Sequence, residues 1–388
     1  MKQKLLIAIA GTVVSGASFA QGSVQIYGVI DAAYTYVNNS GGGSLNALSA
    51  GPLKGNRIGF TGTEDLGGGL AAVFRLENGF SVLNGSLGQG NAMFGRQAYV
   101  GLSSKSAGTV TLGRQYDSMV DYVGVLKAGG DTAGAYANHP GDIDNTGNNY
   151  RVNNAIKYAS PNYSGLTFGG VFSPGGVAGN GRSKRIFSLG AGYNNGPLQL
   201  GLAFVNAQDP NFSYYGNNPN SSTTGNNMST PPIFSGYASA GSLQTIGAAG
   251  AYNFGGWIAG VIYTNSQLKS LGSEAGLNPR GYSGNAVFNT VELNLRKFLT
   301  PSVLFGTSVQ YTRANQVTGN AGGGSYVQAN AGFDYFLSKR TDLYAVGMWQ
   351  RANGYDSTGG RAVASIFGFT PSTTNTQMAL AIGMRHAF

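Results

Sequence analysis

The sequence predicts an all-β protein, a closed antiparallel transmembrane barrel of about sixteen strands. Apolar residues recur at every second position in one segment after another, which places them on one face of a strand. The connections between these segments are alternately short and long. Only 10% of the 388 residues are charged, which excludes an ordinary soluble domain, and no run of about 18 apolar residues occurs, which excludes helical spans.

Two segments show the alternation most clearly. In 286–298, Val291 and Leu293 alternate with Glu292 and Asn294, and in 377–388 apolar side chains alternate with mostly small ones. The other strands are predicted at 24–37, 56–64, 69–78, 96–103, 108–116, 151–160, 165–173, 185–194, 198–207, 243–254, 256–264, 302–313, 326–337 and 340–351. Several approach the length of about 9 to 11 residues that crosses a bilayer in a tilted strand.

The hydrocarbon of the bilayer determines that such a sheet closes and which of its faces points outward. In hydrocarbon each unpaired backbone group costs several kcal/mol, so the sheet has to close on itself. A Lys or Arg facing lipid at mid-bilayer costs about 2 to 4 kcal/mol, so the polar face must point inward. With about sixteen strands the interior stays an aqueous channel. Long polar connections at 116–150, 206–242 and 351–376 oppose short ones such as 194–197 and 337–340, as this architecture requires.

The amino terminus has the layout of a secretory signal. Lys2 and Lys4 precede an apolar stretch at 5–14, and a small-residue site ends at Ala20. We expect a signal peptide at 1–20 and one exported barrel domain at 21–388. The apolar stretch is too short for an uncleaved membrane anchor. The formal charge of +9 falls by two without Lys2 and Lys4, and the remaining basic residues are scattered, which argues against nucleic acid as a partner.

The sequence offers little for catalysis. It has no Cys and two His residues, His139 in a long connection and His386 on the apolar parity of the last strand. Neither a Ser–His nor a Cys–His pair therefore has its expected setting. The glycines at 67–69 lie in a hairpin rather than before a helix, unlike a phosphate-binding loop. We expect no enzyme activity, no catalytic residue, no cofactor and no metal.

Charged residues on the polar parity of their strands are expected to line the lumen. They are Arg57, Arg75, Arg151 and Lys157. Arg96 and Arg114 fall on the opposite parity, with the apolar residues of their segments. We expect these two at strand ends, at a subunit interface, or after a bulge that resets the alternation.

Six short motifs follow one another along the mature chain. They are 27–31 (YGVID), 56–67 (NRIGFTGTEDLG), 76–80 (LENGF), 94–102 (FGRQAYVGL), 111–115 (TLGRQ) and the terminal Phe388. Together they resemble the trimeric general diffusion porins of Gram-negative outer membranes, most closely the β-proteobacterial type. The resemblance implies a sixteen-stranded barrel in the outer membrane, a third long loop folded into the lumen, a homotrimer, and passive diffusion of small hydrophilic solutes and ions.

The resemblance also implies residues for a charged constriction. Its basic side corresponds to Arg57, Arg96 and Arg151, and we assign the lumen-wall residues Arg75 and Lys157 to the same side. The infolded loop corresponds to 116–150, and its acidic side to Asp131 and, more loosely, Asp117 and Asp121. Lys127 stands near a position where cation-preferring relatives carry an acid. Together with the basic excess of the chain, Lys127 indicates a weak anion preference.

Other features of the resemblance concern partners. The segment 77–95 is similar to a loop that latches onto a neighbouring subunit, with Glu77 and Arg114 as interface residues. The terminal Phe388 is similar to the signal that the outer-membrane assembly machinery reads. The expected partners are therefore further copies of the chain, that machinery, outer-membrane lipid and lipopolysaccharide, and the permeating solutes and ions.

Two other functions stay open at this point. A substrate-specific channel for sugars, phosphate or carboxylates would show an aromatic track or an Arg ladder along the bore. An adhesin or structural barrel would bind surfaces through its long loops, and its lumen would be plugged.

Overall fold

A computed structural model describes residues 22–127, 132–215, 227–228 and 231–388. The strands of this described part form one antiparallel sheet. They are β1 Ser23–Ser40, β2 Gly43–Ala50, β3 Arg57–Gly67, β4 Leu70–Gly79, β5 Gln97–Ser104, β6 Gly108–Gln115, β7 Val152–Ala159, β8 Leu166–Ser173, β9 Ile186–Asn195, β10 Leu198–Gln208, β11 Ser242–Phe254, β12 Trp257–Leu271, β13 Gly284–Thr300, β14 Val303–Ala314, β15 Gly324–Phe336, β16 Thr341–Gly354 and β17 Thr376–Ala387. The prediction of an all-β protein is confirmed.

Short helical turns occur in the connections between strands. Those in the described residues are a π-helical turn at Met119–Val123, 3-10 turns at Gly124–Leu126, Gly134–Ala137, Pro140–Asp142, Ser235–Tyr237 and Ala275–Leu277, and an α-helical turn at Pro210–Ser213. None of the described helices has the length and apolar character that crossing a membrane demands.

The sheet closes because its first and last strands pair. Residues 29–37 of β1 lie antiparallel to residues 379–387 of β17. On its other side β1 pairs with two strands that lie end to end: β2 pairs with residues 32–40, and β3 pairs with residues 23–29. The seventeen described strands therefore occupy sixteen positions around the barrel, which confirms the predicted closed sixteen-stranded architecture.

The connection lengths alternate around the barrel. At one end the turns are short, as at 68–69 and 255–256, and we call this end the short-turn rim. The other end, the long-loop rim, carries connections such as 116–151, 209–241 and 355–375. The first strand starts and the last strand ends at the short-turn rim, as expected for an even number of antiparallel positions.

The two faces of the sheet differ as a membrane requires. Large apolar side chains on the outer face are exposed, among them Leu293 at 60% and Ile382 at 67%. On the inward-facing parity of the same two strands, Glu292 and Gln377 are polar and buried. Exposed rows of apolar side chains are unfavourable in water and stable against hydrocarbon. The predicted alternation in the strands that became β13 and β17 is thereby confirmed.

Two features of the strands are not predicted by the sequence pattern. β2 shows no clear alternation because nearly all of this short strand is exposed, and its backbone pairing with β1 holds it in place. β12 continues to Leu271, well past the predicted end at 264. Its pairing with β11 extends through Lys269. Residues 265–269 are mostly polar, so the alternation of apolar residues that predicts a strand stops before the strand itself does.

The alternation predicted for 151–160 is wrong at its start. The predicted lumen parity of Arg151 and Lys157 places Val152 and Ile156 on the lipid face, but Val152 is 0% exposed, whereas Ile156 is 47% exposed. Asn154 lies between them with a φ of 51°, a left-handed conformation. The register with β6 shifts at this point, so the extra residue reverses the faces. Counting alternate positions back from Lys157 therefore does not give the side of the sheet on which Arg151 lies. The preceding loop sets its position.

The last residue completes the seam between the first and last strands. Gly28 and Phe388 exchange two backbone hydrogen bonds, with N to O distances of 3.0 and 3.1 Å. The Phe388 ring occupies the space that a side chain at Gly28 would need. Without Phe388, the N–H and C=O groups of Gly28 would lose these partners.

We expect deletion of Phe388 to lower the yield of folded barrel when the purified chain is refolded into detergent micelles, where no assembly machinery is present. Phe388→Leu keeps both backbone hydrogen bonds and an apolar side chain, so it should refold close to wild type. Far-UV circular dichroism and resistance to protease report the yield. Equal yields for the deletion and the wild type would show that Phe388 has no structural role at the seam.

Candidate functional site

In the connection between β6 and β7, the described residues 116–127 and 132–151 lie inside the barrel. Glycines on the inner wall allow this loop to approach closely. The carbonyl of Tyr122 lies against Gly201 on β10, and Thr132 lies against Gly306 on β14, at positions where any Cβ atom would collide with the loop. The described residues of the loop therefore cross the bore. This confirms that the third long loop folds into the lumen.

Between this loop and the wall lies a cavity of about 510 Å³, which we call the constriction cavity. Its charged lining consists of Lys54, Arg57, Arg96, Lys127 and Arg151. Among the described residues, no carboxylate lines it. The three arginines expected on the basic side therefore lie together, and Lys127 reaches the same space from the loop.

Neutral groups hold two of the arginines in position. Arg57 Nε donates to the carbonyl of Gly55 at 3.0 Å, and Arg151 Nη1 donates to the carbonyl of Asn149 at 2.9 Å. The Arg151 guanidinium also lies 5.8 Å from the ring centroid of Tyr116. These contacts orient the cations without neutralising their charge.

One acidic side chain, Glu77 on β4, lies behind the arginines. Its Oε1 is 2.7 Å from Arg96 Nε, and the hydroxyls of Tyr27 and Tyr116 donate to the carboxylate at 2.8 and 3.1 Å. Glu77 is only 3% exposed, so it compensates the cluster from within the wall. One carboxylate beside three guanidinium groups leaves the wall of the cavity positively charged.

These features can be compared with those of known proteins. A family model described as Gram-negative porin matches residues 6–355. The chain belongs to this family. An outer membrane porin protein of Bordetella pertussis is 29% identical to this porin over 431 residues, and outer membrane porin protein 32 of Delftia acidovorans is 28% identical over 396 residues. Both alignments cover 100% of this chain and 100% of the relative.

Solved structures share the barrel of this porin. The anion-selective porin from Comamonas acidovorans has a TM-score of 0.71 at 21% identity, and the match covers 95% of this chain and 100% of that one. The trimer form of in-vitro folded OmpT from Vibrio cholerae has a TM-score of 0.63 at 13% identity, covering 95% and 99%. This porin is a general diffusion channel of the outer membrane, as the sequence predicted.

Two basic residues predicted for the wall of the porin lie outside the lining of the constriction cavity. The Arg75 guanidinium lies 5.7 Å from the ring centroid of Tyr27. Lys157 Nζ is 2.5 Å from Asp121 Oδ2 and donates to the carbonyl of Tyr116 at 3.1 Å. Their placement at the constriction is therefore corrected: both belong to the inner wall, and among the described lining residues neither contributes to this cavity.

The expected acidic side is wrong for Asp117 and Asp121. Asp117 is fully buried, and its carboxylate accepts hydrogen bonds from the Asn145 side chain at 2.7 Å and from the Tyr214 hydroxyl. Asp121 forms the ion pair with a wall lysine given above, and neither carboxylate lines the constriction cavity. A buried carboxylate needs partners, and the folding of the loop supplies them. Asp131 lies outside the described residues.

The interface role predicted for Glu77 is also wrong, because its carboxylate lies inside the barrel. Arg114 Nε donates to the carbonyl of Gly95 at 2.8 Å, and its Nη1 donates to Asn153. Both partners belong to the same chain, so Arg114 fixes the end of the connection 80–96. The exposed residues of that connection lie between 83 and 93, which we call its tip, and Met93 there is 67% exposed.

Lys54 is a constriction residue that the sequence analysis missed. It lies in the irregular segment 51–56 between β2 and β3, where the sequence shows no apolar alternation that would predict its position. The Asp31 carboxylate accepts hydrogen bonds from the amides of Leu53 and Lys54 at 2.8 and 2.6 Å and holds this segment inside the barrel. The sequence feature that could have indicated this placement is Asp31, because an acidic residue in a predominantly apolar strand requires partners for its buried carboxylate.

A second polar cluster, which we call the histidine clamp, fastens the infolded loop to the wall. His139 Nδ1 is 2.6 Å from Asp144 Oδ2, and His139 Nε2 is 3.2 Å from Glu292 Oε2 on β13. The Thr264 hydroxyl on β12 donates to Asp144 at 2.6 Å. His139, Asp144 and Glu292 are all fully buried. The sequence predicts that His139 lies in a long connection but gives no sign of this contact.

The clamp is an ion cluster over a wide pH range. Burial alone disfavours the imidazolium, but the Asp144 and Glu292 carboxylates outweigh burial and raise the pKa of His139 to about 10. Burial likewise raises the pKa of the Asp144 carboxyl, but the His139 imidazolium outweighs it and holds that pKa well below its usual range. The loop is therefore tied to the wall by a charged imidazolium between carboxylates at neutral pH.

This pKa shift gives the clamp a pH dependence that a variant can isolate. Because the pKa of His139 is raised from 6.5 to about 10 on folding, its contribution to stability is complete below pH 6.5 and is lost as the pH rises through about 10. We expect the melting temperature of the wild type to fall more between pH 6.5 and pH 10 than that of His139→Asn. Thermal melts in detergent followed by circular dichroism measure this difference. Parallel decreases in the two proteins would contradict a charged clamp.

Proposed function

We propose that this porin admits small anions in preference to cations. The observation that supports the proposal is the lining of the constriction cavity, with five basic side chains and, in the described part of the chain, no carboxylate. Screening in salt extends about 8 to 10 Å. An ion inside a cavity of about 510 Å³ lies within that distance of the walls. Anions are therefore concentrated there, and cations are depleted.

The basic lining continues toward the short-turn rim. A further cavity of about 470 Å³ is lined by Lys54, Arg296, Lys297 and Arg385. Lys54 lines both cavities, so an anion meets basic side chains from one cavity to the next. Arg385 is partly neutralised by Asp342 at 2.9 Å and Asp334 at 3.1 Å. The strongest preference is therefore proposed for the constriction cavity. The Comamonas acidovorans porin is named anion-selective; for this chain the property is inferred from the lining itself.

Zero-current potentials across a planar bilayer in a KCl gradient test this proposal. We expect the sign of anion preference for the wild type. In Arg57→Gln/Arg151→Gln, the anion-to-cation permeability ratio should fall about threefold or more, because a charge about 4 Å from an ion in water contributes about 1 kcal/mol. Neither residue is the ion-pair partner of Glu77, so the variant leaves that buried pair intact.

The matched control is Arg313→Gln. Arg313 is exposed, on the outer parity of β14 beside Tyr311, and it lines neither the constriction cavity nor the one at the short-turn rim. Its permeability ratio should equal that of the wild type. A cation-preferring wild type, or an unchanged ratio in the double variant, would contradict the proposal.

We also propose that the porin is a homotrimer. The tip of the connection 80–96 exposes the apolar side chains of Leu83, Leu87 and Met93. Clustered exposed apolar side chains are typical of surfaces that contact another protein. The trimeric Vibrio cholerae structure shows that a barrel of this fold assembles in this way.

A charge at this tip should weaken the trimer. We expect size-exclusion chromatography with light scattering to give a trimer for the wild type in mild detergent and a larger share of monomer for Met93→Asp, because burial of a carboxylate in an apolar contact is unfavourable. Val177→Asp, at an exposed position in another loop, should remain trimeric. A monomeric wild type or an unaffected Met93→Asp trimer would contradict the assignment.

The remaining expected partners are proposed on simpler grounds. The exposed apolar outer face fits contact with outer-membrane lipid and lipopolysaccharide, and the terminal Phe388 fits recognition by the assembly machinery. We propose that solutes pass without chemical change, since both histidines are engaged structurally: His139 in the clamp and His386 Nδ1 at 2.9 Å from the Thr341 hydroxyl. Within the described residues, no group of His, Asp and Glu side chains is arranged to hold a metal ion.

A further inference from the structure

A third cavity, of about 750 Å³, lies among the long loops beside the constriction cavity, and we call it the vestibule. Its lining is mostly apolar and includes Phe367 and Phe369 from the connection between β16 and β17, and Pro231 and Pro232 from the connection between β10 and β11. None of the described residues that line it is charged. The vestibule is thus an apolar chamber next to a strongly basic one.

The two chambers are contiguous. Phe367 and Asn149 line both of them. The carbonyl of Asn149 accepts the hydrogen bond from Arg151 Nη1 at 2.9 Å, which places a guanidinium of the constriction cavity at the junction. An aromatic ring and a fixed cation therefore lie at the point where one chamber opens into the other.

The segment that carries Phe367 is held on both sides. The Ile366 amide donates to the Gln377 side chain at 2.8 Å. The Phe369 ring stacks on Tyr136 of the infolded loop, with 4.5 Å between ring centroids. Phe367 lies between these anchors and stays half-buried. Because apolar surface in contact with water is unfavourable, a ligand that covers this ring gains free energy without having to order the segment.

We propose that Phe367 and the vestibule bind amphipathic organic anions, with aromatic monocarboxylates as the class that fits best. The ring of such a ligand lies against Phe367, and its carboxylate reaches the basic side chains at the junction, Arg151 first. Acetate has the charge without the ring, and benzyl alcohol has the ring without the charge. Only a ligand with both features uses both chambers. This inference rests on the proposed anion preference and names the solutes that the channel holds longest.

Current block in single channels tests the inference on the intact porin. Benzoate, acetate and benzyl alcohol are added in turn, at equal concentration, to the long-loop side of a planar bilayer carrying chloride current. We expect benzoate to cause brief blocking events with a blocking constant about fivefold or more below that of acetate, and benzyl alcohol to cause none. Absence of benzoate block, or equal block by acetate, would overturn the inference.

Variants then locate the site. Phe367→Ala should weaken the benzoate block about fivefold, with each blocking constant normalised to the variant's own open-channel current. Phe367→Tyr keeps a ring and should keep the block. The control is Phe212→Ala, whose ring lies 5.8 Å from the Lys184 ammonium and lines neither chamber. Benzoate block that is unchanged in Phe367→Ala would overturn the inference.

Zero-current potentials recorded on the same channels separate this inference from the proposed function. Wild-type channels that prefer anions but show no benzoate block would overturn the binding site alone. Wild-type channels that prefer cations would overturn the proposed anion preference together with the site that depends on it.

Discussion

In hydrocarbon, every backbone N–H and C=O group must find its partner within the protein itself, and the rest of this structure depends on that constraint. It joins the first strand to the last, down to the pair formed by Gly28 and Phe388. Once the sheet is closed, strand alternation leaves a single choice of faces, apolar toward lipid and polar toward the lumen. A barrel with sixteen positions is then too wide for its inward side chains to fill, so the pore has to be narrowed by another element.

The infolded loop is that element, and the way it folds determines the charge of the constriction. In its described residues, carboxylates are engaged in buried contacts that hold the loop in place: Asp117 is bound by Asn145 and Tyr214, and Asp144 belongs to the histidine clamp. The arginines on the opposite wall are held mainly by carbonyl oxygens and an aromatic ring, with Glu77 as their nearby acid. The positive lining therefore arises from where the acids are buried, and the net charge of the chain would not by itself place it there.

The fold can be predicted from the sequence where a periodic constraint acts, but not where a single contact determines the position of a residue. The bilayer imposes alternation on β13 and β17, so their faces could be predicted. β2 is largely exposed, and its sequence shows no such alternation of apolar and polar side chains. The bulge at Asn154 exchanges the inner and outer faces at the start of β7, and simple alternation of residues does not predict a bulge. For Glu77 and Asp117, residue type and position could not indicate that one lies inside the wall and that the other is enclosed by the loop, because both depend on distant partners.

Anomalous scattering from crystals of the porin soaked in rubidium bromide tests the central claim most directly, since it locates both ions in one experiment. If the constriction is a water-filled cationic chamber, bromide should occupy the space bounded by Arg57, Arg96 and Arg151, and rubidium should be absent there. Rubidium in that space, or a chamber that admits neither ion, would contradict the account.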